Sequence, residues 1–66
     1  MIEADIYRAA NLLIQQHGDE AAIHAAMRAD ELREQGDEAG YATWKRIVTA
    51  IDALQAQSIP PGSSRQ

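Results

Sequence analysis

The sequence predicts an all-α protein: a compact three-helix bundle, up-down-up, with a disordered C-terminal tail. Three observations carry that prediction. A Gly-Asp step occurs twice, at Gly18-Asp19 and Gly36-Asp37. Each step pairs a residue type that ends helices with one that starts them. The three stretches so delimited each have an apolar stripe at steps of three and four. The chain is also rich in alanine and holds one tryptophan, two tyrosines and no phenylalanine. That composition favours closely packed helices over a sheet.

The first helix is expected over residues 4–17. Ile2, Ile6, Ala9, Ala10 and Leu13 form its stripe, with Tyr7 and Ile14 on one flank and Leu12 on the other. Glu3 and Asp5 stand where the positive end of the helix dipole favours carboxylates, and His17 stands where the negative end favours a cation. Gly18 follows, in the place of a left-handed residue that closes a helix.

The second helix is expected over residues 19–35, with Asp19 as its N-cap. Ala22, Ala25, Ala29 and Leu32 make a face of mostly small side chains, which lets two helix axes approach closely. Ile23 and Met27 make a second apolar strip beside it, with Ala26 between. An arc that wide implies contact with both other helices. Opposite lie Glu20, His24, Arg28 and Glu31, which read as a solvated ladder of charge pairs.

The third helix, residues 37–57, is the element the others are built to cover. Gly40, Trp44, Ile47, Ile51 and Leu54 share one face. Trp44, with the largest side chain, is expected at the centre of the core against Ile6, Leu13, Ala29 and Leu32. The expected core is therefore Ile6, Leu13, Leu32, Trp44, Ile47, Ile51 and Leu54. Gly40 is expected to leave room for a neighbouring helix. Pro60-Pro61 stops the helix by about Ser58. Residues 58–66 have no periodicity and are expected to form the flexible tail.

The composition excludes several functions. The formal charge is −4 and the six basic residues are scattered, a poor footprint for nucleic acid. No apolar run approaches the roughly 20 residues needed to cross a bilayer. Met1–Ala10 contains Glu3 and Asp5 and has no basic start, so it does not read as a signal peptide. The protein is expected to be cytoplasmic, with no nucleic-acid or membrane partner. Without cysteine, neither disulfides nor a Cys-based zinc site can staple the chain.

The search for chemistry ends without a site. His17 and His24 are separated by a turn and form no HExxH or i,i+4 pair. Each has a structural role to hand: His17 at a helix C-terminus, His24 in the charge ladder. The pairs Asp19-Glu20, Asp30-Glu31 and Asp37-Glu38 lack the alternating oxygens of a calcium loop. Asp30 either accepts a hydrogen bond from Trp44 or Tyr41, or pairs with Arg33 at i+3. Thr43 and Thr49 have no histidine near them in sequence, the serines all lie in the tail, and no glycine-rich phosphate loop exists. No catalytic residue, cofactor or metal is expected, and the protein is expected not to be an enzyme.

Recognition is the better prospect. Tyr41 and Val48 lie seven residues apart beside the Trp44 face with Lys45 between, and Tyr7 and Ile14 make a similar strip on the first helix. These five residues are the candidate interface, although such strips also serve simply to complete a core.

The segments DIYRAANLLIQQHG at Asp5–Gly18, AAMRADEL at Ala25–Leu32, Gly36-Asp37, TWKRI at Thr43–Ile47 and Ala50-Ile51 resemble a family of short bacterial proteins catalogued as a domain of unknown function. The resemblance implies a compact helical domain and transfers no activity, cofactor or site residue. The functional expectation is a non-enzymatic protein–protein interaction module that binds an unknown protein or forms a weak homodimer. The alternatives are a small nucleic-acid-associated regulator and an accessory subunit of an enzyme.

Overall fold

The computed structural model describes residues 3–57. Ile2 of the first stripe and the whole tail, residues 58–66, lie outside the described residues. Apart from the turn at residues 35–37, the described residues are helical, with no strand among them. Helix α1 spans Glu3–His17, α2 spans Ala21–Glu34 and α3 spans Glu38–Gln57. The helices pack compactly. Helix α3 makes its most extensive contact with α2 and also lies along α1, whereas α1 and α2 touch less.

The two Gly-Asp steps behave differently. At the second, Gly36 has φ +83°, and the backbone closes as a Schellman motif: Asp37 N donates to Leu32 O at 2.9 Å and Gly36 N to Arg33 O at 3.1 Å. Asp37 then caps α3, its Oδ1 accepting from Gly40 N at 2.9 Å. The chain reverses there, so α2 and α3 form an antiparallel hairpin.

At the first step Gly18 is left-handed as expected, with φ +60°, but Asp19 is not an N-cap. The side chain makes no capping bond, and a 3-10 turn, Gly18–Glu20, occupies the space between α1 and α2. The second α-helix therefore begins at Ala21 rather than at residue 19. The physical reason is that the turn is itself helical: Ala21 N donates back to Gly18 O, which satisfies backbone that a side-chain cap would otherwise serve. Segments α1 and α2 can equally be described as one helix bent at Gly18. Gln55 near the end of α3 fixes the bend, because its Nε2 donates to Gly18 O at 2.9 Å.

The core is smaller in side-chain size than expected. Ile6 and Ala10 of α1, Ala21 and Ala25 of α2, and Ile47, Ala50 and Ile51 of α3 make the buried cluster. Ile47 and Ile51 are its largest fully buried side chains. Ala29 and Leu32 are buried further along α2. Trp44 is not the centre: it is partly buried on the flank of the cluster, as are Leu13 and Leu54. Alanines and branched isoleucines take the buried positions, and the indole packs against their flank.

Gly40 is also explained differently. The atoms nearest to a Cβ there belong to Asp37: it would lie 2.6 Å from Oδ2 and 2.9 Å from Cγ. The missing side chain makes space for the cap.

Candidate protein interface

The five residues expected at an interface differ in exposure. Ile14 and Val48 are partly buried against the core. Tyr41 is half-buried, with the Arg33 guanidinium 5.8 Å from its ring centre. Lys45 is exposed. Tyr7 is exposed and lines a shallow depression with Arg46 and Thr49. The Tyr41–Val48 strip is thus partly used up by the fold itself.

Asp30 fits neither of its expected roles. It is exposed and makes no ion pair or side-chain hydrogen bond among the described residues. Asp30 lies on the side of α2 away from its buried alanines, while the Arg33 guanidinium lies over the Tyr41 ring.

The bend at Gly18 brings His17 and His24 together. Their rings stack with centroids 3.7 Å apart and planes 17° from parallel. Imidazole lone pairs lie in the ring plane, so an ion held in one plane of such a stack sits well out of the other. The expected ladder is present beside them: His24 Nε2 lies 3.9 Å from Glu20 Oε1, and Arg28 Nη1 donates to Glu31 Oε1 at 3.1 Å. Among the described residues no three His, Cys, Asp or Glu side chains gather as a metal site would require. No helix among them is long and apolar enough to cross a membrane.

The most distinctive surface lies on α2 and is one that sequence periodicity assigned to packing. Ile23 and Met27 are 59% and 53% exposed. They stand one turn apart, on the side of α2 opposite Ala21, Ala25, Ala29 and Leu32, which are all buried. Leu12 on α1 is 53% exposed as well. A sequence signal for the α2 surface existed in the charges. At about 100° per residue, Asp30, Glu31 and Glu34 fall within about 60° of the Ile23–Met27 line, and Glu20 precedes that line in the 3-10 turn. Carboxylates in those positions mark the solvent side.

Fold and surface together define a small, entirely helical domain with a tight alanine–isoleucine interior and large apolar side chains left outside. Its sequence says more: residues 5–59 match the model of a family of unknown function (DUF6961). The chain belongs to that family, in keeping with the resemblance in its sequence. No curated protein and no solved structure matches it.

Proposed function

We propose that this protein is a non-enzymatic interaction module whose work is to bind another protein. The observation that carries the reading is the placement of its apolar side chains. Ile23, Met27 and Leu12 are each more than half exposed, although the fold has an ordered interior to receive apolar groups. Isolated exposed apolar residues are ordinary, but two on one helix face, one turn apart, make a patch that a partner could cover.

Interaction also suits the shape of the surface. The depressions on the described residues are shallow and open, as at Asp5, Arg8, Ala9 and Leu12 or at Arg33, Gly36 and Tyr41. Concave sites that enclose a small molecule bury most of its surface, which such open depressions do not. Affinity capture from the native cell extract with the intact chain tests the reading. The expected result is a stoichiometric protein partner. Recovery of nucleic acid without such a protein, abolished by Lys45→Glu, would replace the reading with that of a nucleic-acid-associated regulator.

A further inference from the structure

Resting on the interaction reading, we infer that the outer face of α2 docks a cationic amphipathic helix, one with apolar residues at steps of three and four flanked by Lys or Arg. The apolar part of the site is the Ile23–Met27 pair, more than half exposed at both positions. Its spacing of one turn matches the spacing of anchors on a partner helix. Methionine is unbranched and adapts its shape to what covers it.

The electrostatic part identifies the partner. Asp30 and Glu34 continue the line of Ile23 and Met27 along α2, and Glu20 and Glu31 border it. Asp30 and Glu34 have no ion-pair partner among the described residues. Glu20 and Glu31 are joined only to His24 and Arg28, through exposed pairs, which hold little energy and leave the carboxylates available. No cation of α2 falls within about 60° of the apolar line. An apolar pair edged by carboxylates is complementary to apolar anchors edged by cations. The same charge sign disfavours phosphate backbones, anionic lipid and the identical face of a second copy.

The test is direct titration of the full-length chain, labelled with 15N, with a synthetic helical peptide of about 18 residues. The peptide carries leucines on one face and lysines on its flanks. A control peptide has the leucines replaced by serine. The expected result is saturable binding, with the largest amide shifts around Ile23, Met27, Asp30 and Glu34. Ile23→Ser/Met27→Ser should weaken it by about tenfold or more. Asp30→Asn/Glu34→Gln should weaken it less at high salt than at low, because exposed charges are screened beyond about 10 Å at 0.1 M. All four positions are exposed, so the variants should keep the fold, as a circular dichroism melt will show. Shifts centred on Tyr7 and Lys45, equal binding by the serine control, or undiminished binding by Ile23→Ser/Met27→Ser would overturn the inference. So would self-association of the wild type that Ile23→Ser abolishes, since a second copy would then cover the face. The peptide is supplied directly, so its failure condemns this surface alone. Failure of the extract capture condemns the interaction reading.

Discussion

Two isoleucines allow a stringent test of which apolar faces this fold uses. Ile51 is 0% exposed in the core and Ile23 is 59% exposed on α2. Both are helical, so replacing either with alanine changes helix propensity by the same few tenths of a kcal/mol, in favour of alanine. At Ile51 the substitution removes fully buried atoms and leaves a cavity, a change that costs about 2–5 kcal/mol. At Ile23 roughly two-fifths of the side chain is covered, and full burial of such a residue contributes about 1.5–3 kcal/mol. The loss there is thus about 1 kcal/mol or less, reduced further by the gain in propensity. Urea titrations followed by helical circular dichroism measure both values, and in a domain of this size each kcal/mol also moves the melting temperature by about 4–8 °C. The difference between the two variants should be at least about 1 kcal/mol. Equal costs would refute the burial pattern, and would mean that Ile23 is covered in solution.

Asp37→Ala should cost about 0.5–2 kcal/mol by removing the cap of α3, whereas Asp19→Ala, which removes no cap, should change stability by less than about 0.5 kcal/mol in the same titrations. Gly36→Ala should destabilise by about 1–2 kcal/mol because alanine is strained at a left-handed φ. A double-mutant cycle on His17 and His24, each changed to alanine, should give a coupling of about 0.5–1 kcal/mol from the ring stack. Coupling indistinguishable from zero would mean that the stack contributes nothing to the bend.

Much of the architecture was legible because Gly36-Asp37 uses local chemistry. A left-handed glycine and a capping carboxylate act within a few residues, so their pattern survives in the sequence. Gly18-Asp19 has the same letters and a different outcome. Its turn is decided by Ala21 N returning to Gly18 O and by Gln55 Nε2 donating to the same oxygen. The second donor comes from 37 residues away, and local pattern contains nothing of it. Trp44 was misplaced for a related reason. Periodicity assigns a side chain to a face, but the distance between the axes decides which side chains fit at its centre.

The outer face of α2 shows where the usual ordering of size and burial fails. Large apolar residues generally mark the buried side of a helix, because they gain most from leaving water. Here the buried side holds Ala21, Ala25 and Ala29 with Leu32 as its one large residue, and Ile23 and Met27 face outward. Ala21 and Ala25 share their buried cluster with Ile47 and Ile51 of α3. Bulk on α3 requires smallness on α2, and an interior packed near crystal density cannot accept bulk from both sides. With the alanine face turned inward, Ile23 and Met27 on the opposite side of α2 stay more than half exposed. Their exposure is thus a consequence of the way the core is packed, and a partner that covers them has no need to disturb that core. Binding at this face should therefore leave the helices as they are, with its strength set by the apolar pair and the carboxylates beside it.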